Sequence, residues 1–211
     1  GQYHLMGVIL SAAGSLRWFR DLLGGPAGNS FDDLIAAAAG IAPGADGLFF
    51  LPYLSGERTP HMDPHARAAW IGLTLAHDRR HLARALIEGV CFALKDSLVL
   101  MQRLGVAPDQ LQAVGGGARS PVWRQILAAV LDVRLQRLAV EEGPALGAAL
   151  LAAVGAGVHP DVDAAVAAAV RTEGEPEVPE SRLSARYAEL YRDFGALYPA
   201  LKGTGVWREP A

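Results

Sequence analysis

Strand-like and helix-like segments alternate along the 211 residues and predict an α/β domain of layered architecture with a partly parallel sheet. Two further observations point the same way. Hydrophobic residues make up 51% of the chain and charged residues 19%, so there is apolar surface enough for a sizeable core. A short apolar run, Leu111 to Val114, empties into Gly115-Gly116-Gly117, and a helix start follows within a few residues.

Residues 3–10 (YHLMGVIL) are apolar and partly β-branched with no helical start signal, which predicts a strand. Ser11 is placed to cap a helix of about a dozen residues that ends at the Gly24-Gly25-Pro26 breaker. A second helix fits 30–39, with Ser30 as N-cap and Asp32 and Asp33 at the positive end of the helix dipole. Residues 47–54 (GLFFLPYL) resemble a buried strand interrupted by Pro52. The prolines of the following SGERTPHMDPHAR forbid continuous helix there, and AAWIGLT is the next short strand. The longest helix covers about 78–104. In it Leu82, Leu86, Val90, Leu94, Leu98 and Met101 form one apolar stripe, and Gly105 stops it.

After the Leu111–Val114 strand and its glycines, Ser120-Pro121 combines a capping residue with proline at the first helical position. Residues 134–140 alternate as a strand. Helices fit about 144–156, 161–170 and 181–198, and the charged, proline-bearing segment Thr172 to Glu180 separates the last two.

Composition excludes several classes of function. The 38 alanines and 7% aromatics favour helices packed closely through small side chains. With mean hydropathy +0.20 the chain can offset the entropy of ordering by burial, so it is not a disordered tail. A net charge of −3 and a pI near 6.1 provide no basic excess for nucleic acid. The single cysteine, Cys91, rules out a disulfide framework, suits the cytoplasm, and reads as a small buried hydrophobe. Leu5–Leu16 and Gly143–Val158 are apolar but shorter than the roughly 20 residues of a membrane span. His61/His65 and His77/His81 have the four-residue spacing of helical zinc sites, yet Pro60 and Pro64 break the first pair and no third ligand is patterned. The chain begins at Gly1 in mid-strand, which suggests a piece of something longer.

Three segments could carry chemistry. In AVGGGARSPVWRQI (113–126), glycines without Cβ atoms expose backbone N–H groups to a ligand. The pattern fits a nucleotide contact or simply a tight strand-to-helix turn, and it is neither a Walker loop nor the dinucleotide fingerprint. In EEGPALGAALLAAVGAG (141–157), Glu141 and Glu142 precede a small-residue helix that would let another backbone or a flat ring approach closely. SAAGSLRWFRD (11–21) puts small residues at a helix start with Arg17 facing outward.

Taken in order, PYLSGERTPH (52–61), GLTLAH (72–77), RALIEGVCFAL (84–94), GGGARSPVWRQ (115–125) and GPALGAAL (143–150) resemble the C-terminal half of the FGGY-type sugar kinases, from about Tyr3 to Pro199. The branch of that family acting on xylulose is the nearest match. The resemblance implies an actin-like, ribonuclease-H-like domain with a mixed central sheet, spanning 1–211. It faces a similar domain across a cleft, holds ATP with Mg²⁺, and passes the γ-phosphoryl to a sugar.

Carried over by motif, Gly116, Gly117, Ala118, Arg119 and Ser120 would touch the nucleotide. Ala13, Gly14 and Arg17 would lie near its phosphate and ribose end, and Ala145 and Leu146 on the adenine side. The family's aspartate base and phosphate-binding glycine turn are expected before Gly1. The sheet is therefore expected to lack its opening hairpin, and the chain by itself to transfer nothing. Mg²⁺ ligands and most sugar contacts would belong to the other half. The ERTPH loop points toward D-xylulose, with gluconate, ribulose and glycerol as alternatives. A homodimer and a non-catalytic actin-like module also stay open.

Overall fold

The structure, a computed structural model, describes residues 4–27, 29–139 and 143–207. Helices α1 (Ala13–Leu22), α2 (Phe31–Ala39) and α3 (Arg79–Arg103) come first, with the two-stranded antiparallel ribbon β1 (Phe49–Leu51) and β2 (Ala69–Ile71) between α2 and α3. Then come β3 (Gln110–Ala113), the four-residue α4 (Gly116–Arg119), α5 (Pro121–Leu131) and β4 (Arg134–Leu138). The chain closes with α6 (Gly143–Gly155), α7 (Val162–Ala169), β5 (Thr172–Glu177) and α8 (Ser181–Gly203).

The second sheet has order β3-β4-β5, parallel between β3 and β4 and antiparallel between β4 and β5. It is therefore mixed, as expected. Gln110 stands opposite Arg134, and the crossover through α4 and α5 supplies the helical connection that parallel strands require. Among the described residues β3 has a strand partner on one side only.

Helix starts follow the side chains present. Ser30 accepts from the Asp33 backbone N–H while the Asp33 carboxylate accepts from that of Ser30, a reciprocal capping box. Asp78 accepts from the Arg80 N–H at the head of α3. Gly105, at φ +87°, turns the chain out of α3 as anticipated.

The core gathers α1, α2, α3, β1, α5 and α8 around Phe19, Phe50, Leu86, Phe92, Ile126 and Phe194, all nearly or fully buried. Glycine is required at position 89, where α3 crosses β1: a Cβ there would collide with the Phe50 carbonyl. A smaller apolar cluster (Leu98, Ala128, Leu131, Val133, Leu135) ties α3 and α5 to the mixed sheet.

Four expectations are corrected. Residues 4–9 form no strand: Val8 and Leu10 donate their N–H groups to side chains of the 57–59 loop instead of to a sheet (Tyr3 lies outside the described residues). Ser11 does not cap α1; Ala12 stands at that position without a side-chain bond, and the Ser11 carbonyl accepts from the Ser15 hydroxyl. Thr172–Glu177 is a strand and not a mere separator. It lies at the sheet's margin, where Pro176 can be tolerated, and its irregular register with β4 is filled by the Gln136 amide, which donates to the Glu173 and Gly174 carbonyls. Finally, α8 continues past Pro199 to Gly203. Tyr198 and Lys202, on either side of the proline, both bind Asp63 (2.7 and 2.9 Å) and hold the last turn.

Candidate functional site

The three glycines do two different things. Gly115 adopts φ +85°, ψ −178°, a conformation open essentially to glycine alone, and this bends the chain sharply out of β3. Gly116 and Gly117 then begin α4, a short helix inside what the sequence suggested was a tight strand-to-helix turn. A Cβ at Gly115 or Gly116 would meet nothing within 4 Å, so that face of the turn is open; at Gly117 it would lie 3.4 Å from the Trp123 ring. The turn is thus backed by an indole on one side and bare on the other.

That bare face opens on a cavity of about 430 Å³. One wall is Gly115–Ala118; another is Gly7, Ala12 and Ala13. Apolar side chains of α3, α5 and the sheet, among them Leu94, Leu98, Leu127 and Leu135, line its interior. Arg124 is the lining residue with a full charge. A flat, largely apolar group fits such a lining better than a row of phosphates does.

Arg124 is the site residue that sequence reasoning passed over. Its guanidinium donates to the carbonyls of Ala118 (2.7 Å) and Arg119 (3.1 Å) and lies 4.0 Å from Glu177 of β5. It caps the short α4 and pins the glycine turn to the sheet. The available signal was its place one turn into the helix that follows the glycines, where a long donor reaches back to a helix C-terminus.

Ser120 is the N-cap of α5: its hydroxyl oxygen accepts from the Trp123 N–H at 3.3 Å. The cavity brings together Ala13, Gly116, Gly117 and Ala118. Gly14 and Arg17 are exposed on α1, and Arg119 is exposed on α4; none of these is part of the lining, nor is Ser120. Ala145 and Leu146 sit apart from it on α6, which packs chiefly against α7 and buries none of its residues. Glu141 and Glu142 lie outside the described residues.

His61 and His81 serve structure. His61 stacks on Tyr198 with ring centroids 3.4 Å apart, and its Nε2 lies 3.1 Å from the Tyr53 hydroxyl; burial pulls its pKa down to about 4. His81 joins the Asp78 cap of α3 and reaches Asp46 at 3.2 Å. Among the described residues no three of His, Cys, Asp and Glu gather where they could hold a metal ion. No described helix is long and apolar enough to cross a membrane. Cys91 is fully buried, and burial raises its thiol pKa.

Comparison with known proteins fits this geometry into one group. Residues 1–156 match the model for the C-terminal domain of the FGGY family of carbohydrate kinases. The xylulose kinase of Lactococcus lactis is 37% identical over 199 residues, which cover 94% of this chain and 39% of that protein. The crystal structure of xylulose kinase from Rhodospirillum rubrum superposes with TM-score 0.81 at 41% identity, over 94% of this chain and 40% of that one. A gluconate kinase structure from Lactobacillus acidophilus superposes with TM-score 0.82 at 28% identity, covering 92% and 39%. The chain therefore spans about two fifths of the length of these relatives, and its fold is the actin-like α/β fold expected from the motifs. Family model, sequence identity and superposition agree: the chain belongs to the FGGY family of carbohydrate kinases, as its C-terminal domain.

Proposed function

We propose that this chain is the nucleotide-binding lobe of an ATP-dependent sugar kinase whose acceptor is D-xylulose, giving D-xylulose 5-phosphate. The observation that carries the reading is the bare Gly115–Gly117 turn, open above and backed by Trp123 below. It lets a purine nucleoside lie against main chain at a place where any side chain would stand in the way. Ala12 and Ala13 across the cavity keep the opposite wall equally thin. Arg17 and Arg119, exposed on α1 and α4, are the cations nearest in sequence to the two walls and would face the ribose and phosphate end.

Phosphoryl transfer depends on positioning and on neutralising charge at the transferred group. Mg²⁺, arriving with the nucleotide, would supply much of that neutralisation, and the residues described here bring no carboxylate cluster to hold it unaided. In this reading the lobe orients the nucleotide while a facing domain contributes the general base and grips the sugar, and closure of the two excludes water. Such a kinase would work in the cytoplasm. The xylulose acceptor rests on the xylulose kinases at 37% and 41% identity.

Two measurements test the proposal. Calorimetry on this chain should record ADP binding. A coupled ATPase assay on the intact polypeptide that contains it should record ATP consumption that depends on D-xylulose, with gluconate, ribulose and glycerol inactive. Faster turnover with one of those three reassigns the acceptor. Equal ATP consumption with and without every sugar, or no ADP binding, defeats the kinase reading in favour of a non-catalytic module.

A further inference from the structure

The stretch 7–13, whose Gly7, Ala12 and Ala13 line the cavity, has no regular structure until Ala13, yet it is held from outside by side chains that are not part of the cavity. Val8 donates its N–H to the Thr59 hydroxyl (3.0 Å), and the Val8 carbonyl accepts from the Thr59 N–H (2.9 Å). Leu10 donates to Glu57 Oε1 (3.2 Å), which also accepts from the Arg58 N–H (2.7 Å). Glu57 is 2% exposed, and its second oxygen, Oε2, is buried with no partner among the described residues. The loop is anchored in its turn: Glu57 and Asp63 exchange backbone bonds, and Asp63 is bound by Tyr198 and Lys202 of α8. On the inner side Gly7 lies so close to Ser97 of α3 that a Cβ would collide with it.

We infer that Glu57 and Thr59 are positioning residues for the nucleotide: they clasp the backbone of residues 8–10 and thereby set the gap between the Gly7–Ala13 wall and the Gly116–Ala118 turn. A carboxylate buried with one oxygen unpartnered is costly unless it holds something, and here it holds a segment that makes no ladder of its own. The inference rests on the nucleotide reading above. It goes further by giving the GERT stretch a task at the ATP site, distinct from sugar recognition.

The test pairs ADP calorimetry with amide hydrogen exchange on this chain and on three variants. In Thr59→Val the Val8 amide should lose protection, α3 amides should keep theirs, and ADP affinity should fall about fivefold, the scale of one lost hydrogen bond. Thr59→Ser, which keeps the hydroxyl, should restore both. Gly7→Ala pushes the same segment off Ser97 without touching the clasp and should weaken ADP binding similarly. Unchanged ADP affinity in a folded Thr59→Val whose Val8 amide exchanges freely overturns the clasp and leaves the glycine-turn reading standing. Global unfolding of both Thr59→Val and Gly7→Ala also overturns it, because the contacts would then be structural. Failure of the unsubstituted chain to bind ADP removes the nucleotide reading and, with it, the clasp's role.

Discussion

At the scale of single residues, neighbouring glycines in one turn carry separate demands. Gly115 is required by its backbone angle, whereas at Gly116 the backbone is ordinary and the space above it is open. Gly115→Ala should cost about 1–3 kcal/mol of stability, because an L side chain is strained there whatever the room. Gly116→Val should leave the melting temperature nearly unchanged, since its Cβ meets nothing, while weakening ADP binding about tenfold or more by filling the ligand's approach. Denaturation curves and ADP titrations on both variants check this; equal ADP affinity in a folded Gly116→Val would reduce the glycines to a chain-turning device. Arg124 belongs to the same scale. It escaped sequence reasoning because its role is a contact between a helix and the carbonyls of the turn before it, which depends on how tightly α4 and α5 fold together.

At the scale of elements, the long helix α3 is fastened to its neighbours by a buried polar network within an otherwise apolar seam. Arg84 Nε donates to Glu88 Oε1 (2.6 Å), Arg84 also donates to the Tyr187 hydroxyl (2.7 Å), and Tyr187 donates to Glu88 (2.8 Å). The Gly44 N–H completes the set at 3.1 Å, so α3, α8 and the loop after α2 meet at one carboxylate. Burial pushes the Glu88 pKa up and the guanidinium opposes that shift. Arg84→Met should therefore destabilise the domain by about 3–5 kcal/mol by leaving a buried charge uncompensated. The double variant Arg84→Met with Glu88→Leu should recover much of the loss in urea denaturation, and no recovery would mean that the network itself, not the orphaned charge, holds the helices. The apolar stripe of α3 was legible from its three- and four-residue spacing. The network was not, because it closes only when Tyr187, about a hundred residues away, is brought beside Arg84 and Glu88.

At the scale of the whole molecule, stability should vary with pH in two opposite ways. Asp96 is largely buried, and burial raises its pKa to about 6 against the Tyr191 hydrogen bond that lowers it. The unfolded chain ionises this group near its ordinary value of 3.8, so the folded state holds the proton longer, and stability falls as pH rises from about 4 to 6. Asp96→Asn should remove that slope and gain about 3 kcal/mol at pH 7, read from melts between pH 4 and 8. Glu57, raised by burial, contributes in the same sense. Asp63 does the reverse: its hydrogen bonds from Tyr198 and Lys202 hold its pKa well below the usual carboxylate range, so its stabilisation is present above about pH 4 and is lost on further acidification. A pH profile for Asp96→Asn that keeps the parent's slope would place the titration elsewhere.

Local pattern determined most of the helices, the existence of strands β3 and β4 and the position of the glycine turn, because caps, periodicity and glycine act over a few residues. The ordered motifs also determined the family. Only the tertiary structure decided that residues 4–9 lie against a loop instead of a sheet, and that Thr172–Glu177 is a strand despite its charges and Pro176. It also decided that Ala13 and Gly116–Ala118 face one cavity while Ala145 and Leu146 stand away from it. Each of these depends on partners far along the chain, whose packing and hydrogen bonds outweigh the weak preferences of the segment itself.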